Sequence, residues 1–150
     1  MNTNVQSIKE LIIRDLNSLE KEIQSYIRSA DIWKIEGDIK NSAGNLTLHI
    51  CGNLQHFIGA IVGKDGYIRK REEEFASKNL SIEELMDEVS ATKQAVEKAL
   101  SNLSDDHLEQ IYPVEVFGKP ITFSYFLIHL TGHLMYHLGQ INYHRRLLAS

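Results

Sequence analysis

The sequence predicts an all-α protein: a four-helix bundle with a crossover connection and a short extended or hairpin excursion before the last helix. Three observations carry this. Two prolines and nine glycines in 150 residues leave long unbroken segments. Apolar residues recur at three- and four-residue spacing through four of those segments, the period of an amphipathic helix. A serine followed three residues later by a glutamate, and threonines and serines elsewhere, mark helix starts. A hydrophobic content of 43% with 24% charged residues suits one globular domain with its own core, spanning residues 1–150.

The first helix runs through Val5, Ile8, Ile12, Leu16, Leu19, Ile23 and Ile27. That is about 25 residues, with Ser7, Lys9, Asp15, Glu20 and Lys21 facing out. Residues 31–44 break the period and form a connection, in which Trp33 covers one end of the core. Residues 45–62 make the second helix. Ile50, Leu54, Phe57 and Ile61 form its apolar stripe, and Asn45, His49, Gly52, Asn53, His56 and Ala60 lie beside it. Gly63, Asp65 and Gly66 stop it, with glycine as the expected residue past the helix end. Residues 67–78 carry Arg69, Lys70, Arg71, Glu72, Glu73 and Glu74, and read as a solvated linker with a turn or two of helix.

Ser81-Ile82-Glu83-Glu84 is a capping box, and the third helix follows through Leu85, Val89, Thr92, Val96, Leu100 and Leu103. His107, just beyond, is expected to be exposed. Residues 112–122 form two short extended halves around Gly118-Lys119. Thr122 or Ser124 then caps the last helix, which runs to about Leu148.

Several functions are excluded or disfavoured. A formal charge of −4 leaves no electrostatic footprint for nucleic acid. No apolar run approaches the roughly 20 residues of a membrane span, and the first seven residues lack a basic stretch followed by an apolar one. One cysteine, Cys51, permits no disulfide within the chain and fits a reducing compartment. The expectation is a cytoplasmic protein without nucleic-acid or membrane partners, with Cys51 as packing.

The chemistry sits in the last helix. Four of the seven histidines fall in residues 129–144. On a helix, Leu127, Leu130, Leu134, Leu138 and Ile141 form one stripe. His129, His133, His137, Gln140 and His144 form another, about 100° round from it. Histidines four apart share a helix face within reach of one ion, which both His129/His133 and His133/His137 satisfy. Leu134 stands where a zinc protease would carry its glutamate, and no Glu-x-x-His occurs, so neither a zincin nor a di-iron carboxylate site fits. A third ligand has to come from another helix, and the second offers His49 and His56. Three imidazoles would leave one coordination position open, the pattern of a reactive site.

The motif Asn41-Ser42-Ala43-Gly44-Asn45-Leu46-Thr47-Leu48-His49-Ile50-Cys51-Gly52-Asn53-Leu54 resembles the second-helix signature of the DinB-like (damage-inducible) four-helix proteins. His133-Leu134-Met135-Tyr136-His137-Leu138-Gly139-Gln140 resembles their terminal motif, and Arg69-Lys70-Arg71-Glu72-Glu73-Glu74-Phe75 a segment of one branch. The resemblance implies a four-helix bundle holding one divalent metal ion, zinc or nickel, on His49, His133 and His137. It also implies a homodimer. Some relatives are thiol S-transferases using bacillithiol or mycothiol, and others have been called metal-dependent hydrolases, so a low-molecular-weight thiol or another small molecule is the implied partner. The alternative is a metal-binding stress-response protein without turnover. Asn53 and Gln140, each one turn from a ligand position, are expected to orient it. Tyr136 is expected to point away from the site. No residue is singled out as a general base.

Overall fold

A computed structural model describes residues 3–150. The two residues before them, part of the N-terminal stretch read above for a leader, lie outside the described residues. Five α-helices follow in order: α1 (Asn4–Gln24), α2 (Ala43–Leu54), α3 (Arg71–Ala76), α4 (Ile82–Ser101) and α5 (Phe123–Leu148). Short 3-10 turns cover Ser29–Trp33 and Asp105–Glu109, and a π turn, Gln55–Ala60, continues α2. Among the described residues there is no strand, only an isolated bridge between Ile111 and Thr122.

The caps expected at Ser81 and Thr122 are present, and α2 starts at Ala43, two residues before the expected 45. Thr3, Ser42, Ser81 and Thr122 each accept a backbone N–H three residues on, at 3.0–3.1 Å. Glu84 closes the capping box by accepting from Ser81 N at 2.8 Å. The apolar stripes then meet in one core, with Ile12, Leu16, Leu19, Ile50, Leu54, Leu85, Leu100, Phe126 and Leu127 fully buried. Both α1 and α2 pack against α4 and α5. They therefore occupy opposite corners, and the connection through residues 25–42 is the crossover. Trp33 seals that end of the bundle. Its ring lies flat against Gly44, where a Cβ would sit 2.7 Å from the indole carbons, and its Nε1 donates to Leu80 O at 3.2 Å.

Four expectations need correcting. α1 stops at Gln24, so Ile27 lies beyond it at 85% exposure. Asp15 faces in rather than out and is buried, with Arg14 Nε donating to it at 2.9 Å. The left-handed residues after α2 are Lys64 (φ 52°) and, as one of the expected stops, Gly66 (φ 84°), but not Gly63. Gly63 is instead needed for closeness, since a Cβ there would meet Gly59 O at 2.7 Å and Ala99 Cβ at 3.0 Å. His107 is half-buried, and its Nδ1 accepts from Ser104 N at 3.0 Å, standing where a capping-box glutamate would.

Residues 112–122 are an irregular excursion closed at its base, where Tyr112 N donates to Ile121 O at 2.8 Å. Buried Tyr112 reaches from it to the π turn and donates its hydroxyl to Phe57 O at 2.5 Å. No helix among the described residues is long and apolar enough to cross a membrane.

Candidate metal centre

α2 and α5 face each other across the bundle, and three imidazoles close the gap between them. His49 Nε2 lies 3.3 Å from His133 Nε2, which lies 3.1 Å from His137 Nε2. The three ligand atoms all fall within 4.8 Å of one another. Nitrogens bound to one tetrahedral ion at about 2.0–2.1 Å sit roughly 3.3–3.4 Å apart, so the spacing already matches a shared ion.

Proton positions follow from the partners behind each ring. Glu74 Oε1 lies 3.1 Å from His49 Nδ1. An ionised carboxylate only accepts, so Nδ1 carries the proton and Nε2 turns its lone pair to the centre. Gln140 Oε1 accepts from His137 Nδ1 at 2.8 Å, with the same consequence. Lone pairs that converge at about 3 Å repel unless a proton or a cation lies between them. Burial, and then the neighbouring imidazoles of His137, His49 and His129, push His133 down to about 4. Burial lowers His137 as well. Both rings are neutral near pH 7, the form that coordinates a metal. The donor set therefore fits a divalent cation.

Glu74 is the residue that the sequence reading missed. The charged run was read as a solvated linker, yet α3 folds back onto α2 and leaves Glu74 only 6% exposed. Arg69 holds the carboxylate from the other side, with Nε 2.8 Å from Oε2 and Nη2 3.0 Å from Oε1. Burial alone would raise the Glu74 pKa, but the bonds from His49 and Arg69 outweigh it and set it below the ordinary carboxylate value. Space for the carboxylate comes from Gly52, where a Cβ would fall 1.9 Å from Glu74 Oε2. Asn45 fixes α3 in turn, donating through Nδ2 to Glu74 O at 3.0 Å and Ser77 O at 2.7 Å. The usable signal was the glutamate five residues past Arg69 in a segment facing a histidine helix.

The remaining candidates separate cleanly. His129 is exposed and packs between Phe117 and Phe126. His56 lies in the π turn against Phe57. His144 is buried, accepts from Tyr26 Oη at 2.6 Å and donates to Lys34 O at 2.8 Å, so it ties α5 to the crossover. Asn53 is buried one turn beyond His49, but its Oδ1 is unpartnered and no bond joins it to His49 among the described residues. Cys51 is buried and burial pushes its thiol up to about 12, in keeping with packing. Tyr136 does not point clear of the site. With His137, Gln140, Tyr143, Leu147 and Lys40 it lines a cleft of about 490 Å³.

Comparison with known proteins agrees with this architecture. The model of the DinB superfamily matches residues 9–141. A crystal structure of a conserved protein from Enterococcus faecalis superposes with a TM-score of 0.78 at 16% identity, covering 99% of this chain and 98% of the other. A DinB-like protein from Bacillus cereus superposes with a TM-score of 0.76 at 20% identity, covering 97% and 93%. At these identities both likenesses concern the fold. No curated protein matches the chain.

Proposed function

The chain belongs to the DinB superfamily, and on that premise we propose that it is a metal-dependent enzyme working as one domain. Its centre is His49, His133 and His137 around one divalent ion, zinc or nickel. The reaction is transfer of a low-molecular-weight thiol onto an electrophile, or hydrolysis. The observation that carries this reading is the convergence of three imidazoles, two of them oriented from behind by Glu74 and Gln140.

A divalent ion on three imidazoles keeps a position open and acidifies the water or thiol bound there. The chain's own residues do the rest. Glu74 holds the proton on His49 Nδ1, and Arg69 keeps that carboxylate ionised. Gln140 holds His137 in the matching tautomer. The cleft beside His137 admits a small molecule against Tyr136, Tyr143 and Lys40. Glu74, committed to both His49 and Arg69, is not free to take a proton from a nucleophile. That favours a nucleophile, thiol or water, acidified at the metal over one deprotonated by a protein base.

The test uses protein purified without a nickel column. Elemental mass spectrometry should find about one zinc or nickel per chain, and His49→Ala should abolish it. Thiols of the bacillithiol and mycothiol type, offered with electrophiles, should be consumed by the metal-loaded protein only. Metal without any thiol consumption or ester hydrolysis would leave a non-catalytic metal-binding protein. No metal in the wild type, and no change with His49→Ala, would end the proposal.

A further inference from the structure

Among the described residues, the carboxamide of Asn53 is buried with nothing to bond to. Asn53 is 8% exposed, its Oδ1 is fully enclosed, and its side chain makes no hydrogen bond. Buried polar side chains are nearly always satisfied, so one that is not marks a place kept for another group. Asp15 Oδ2 and Gln55 Nε2 are unpartnered too, but of the three Asn53 alone shares the α2 face of His49. Residues at i and i+4 are neighbours on a helix surface, with Cβ atoms about 5–6 Å apart. Gln55 lies roughly 120° round from that face.

The surroundings of Asn53 place it beside the histidine centre. His49 meets His133 of α5 with ring centroids 5.1 Å apart, and Phe57 meets Phe126 at 5.0 Å. Asn53 is the rung between them, opposite residues 129–130 of the antiparallel α5. Arg69 covers the same two rungs, with Nη2 3.4 Å from His49 Nδ1 and Cζ 5.9 Å from the centre of the Phe57 ring. The imidazoles do not use the carboxamide. Glu74 and Gln140 already hold the protons of His49 and His137, and no bond joins Asn53 to His133. A carboxamide oxygen only accepts. Its complement is therefore a ligand that brings its own O–H or N–H. An anion without a hydrogen would meet the oxygen lone pair to lone pair.

We propose that Asn53 Oδ1 accepts a hydrogen bond from the molecule that enters the open coordination position, and so selects ligands carrying an O–H or N–H there, such as water or a hydroxamate. This rests on the metal reading above. Cobalt(II), loaded in place of zinc or nickel, reports such ligands through its visible absorption. Acetohydroxamate carries a hydrogen donor and azide carries none. Asn53→Leu, close in size to asparagine, should weaken acetohydroxamate about three- to tenfold, the worth of one hydrogen bond, and leave azide within about twofold of the wild type. Cobalt affinity should not change, because Asn53 bonds to no histidine. Metal-free Asn53→Leu should unfold at a denaturant concentration no lower than the wild type, because its fold no longer encloses an unpaired carboxamide. Asn53→Ala, which adds no apolar bulk, should repeat the acetohydroxamate result with unchanged helical circular dichroism. Equal weakening of both probes, or of neither, would overturn the proposal. So would loss of cobalt affinity, which would make Asn53 a support for a histidine, or a lower unfolding midpoint in Asn53→Leu, which would make it part of the core. Failure of the metal reading looks different: a wild type that binds no cobalt would end both.

Discussion

The two walls of the histidine centre are built on different terms. On the α2 wall, His49 is buried and its proton is held by a buried carboxylate that the half-buried Arg69 guanidinium holds in turn. On the α5 wall, His133 and His137 are half-exposed, an exposed glutamine backs His137 alone among the described residues, and a cleft opens beside them. One wall fixes an angle and the other leaves room. Where a site must hold an ion and still exchange what binds to it, that division puts rigidity where nothing passes and access where something does.

The most damaging way to break this contrast is to remove Glu74. Glu74→Ala frees His49 and leaves Arg69, whose side chain is 12% exposed, without its partner. Losing one member of a buried pair costs about 3–5 kcal/mol of stability. Loss of the group orienting a metal ligand costs about 10–100-fold in metal affinity. Denaturant unfolding and competition with a chromogenic chelator measure the two effects. Glu74→Gln keeps an acceptor for His49 Nδ1–H and should lose less affinity than Glu74→Ala. Equal affinities for both variants and the wild type would mean that the α2 wall does not set the site.

A subtler break comes from the space that Glu74 occupies. Gly52→Ala places a methyl 1.9 Å from Glu74 Oε2, so the carboxylate has to move. Overpacking of this kind costs about 1–3 kcal/mol, and metal affinity should fall in the direction of Glu74→Ala. The same substitution on the other wall should have the opposite sign. Gly132→Ala meets nothing within 4 Å and should gain roughly 0.5–1 kcal/mol. Thermal melts of the two variants in parallel decide it.

These residues also show what the sequence could and could not disclose. The helices, the caps at Ser81 and Thr122, and the buried leucine stripe of α5 are local facts, set by spacing within a few residues of one another. The pairing of His49 with His133 and His137 was legible only as two histidine-bearing stripes at similar offsets, and His129 and His56 competed until the family resemblance chose among them. Glu74 was not legible, because three bases followed by three acids look the same whether solvated or folded back. The decisive feature lay elsewhere in the chain, in the cavity at Gly52 and the amide of Asn45 that receive α3. The same distance hid Asp15 and His144, whose burial depends on partners across the bundle.

Acid separates the walls by pH window. His133 falls from its ordinary 6.5 to about 4 in the folded state, with burial as the first cause. The unfolded chain therefore binds more protons between these values, so stability is complete above about 6.5 and declines as pH falls towards 4. His137 and His144, both lowered first by burial, act in the same direction as pH falls below 6.5. Glu74, lowered in the fold, contributes stability that is present above its unfolded value near 4.5 and is lost below it. Metal-free protein unfolded in denaturant at a series of pH values should show both declines. His133→Gln should flatten the upper one and Glu74→Gln the lower. A profile that is flat from pH 7 to 4.5 would contradict the neutral imidazoles of the α5 wall.

The smallest effect sharpens the comparison most. Gln140 performs on His137 the service that Glu74 performs on His49, but it is neutral, exposed and on the same helix as its client. A hydrogen bond of that kind contributes about 0.5–1.5 kcal/mol, and water can replace it at an exposed position. Gln140→Ala should therefore leave global stability unchanged and weaken metal binding by less than about tenfold, well short of Glu74→Ala. Because Gln140 lines the cleft, its removal should act more on the rate at which a chelator strips the metal than on the affinity itself. Stopped-flow metal release from Gln140→Ala and Glu74→Gln, each at equal occupancy, distinguishes the two roles. If Gln140→Ala matched Glu74→Ala in affinity, the rigid wall would be α5 rather than α2.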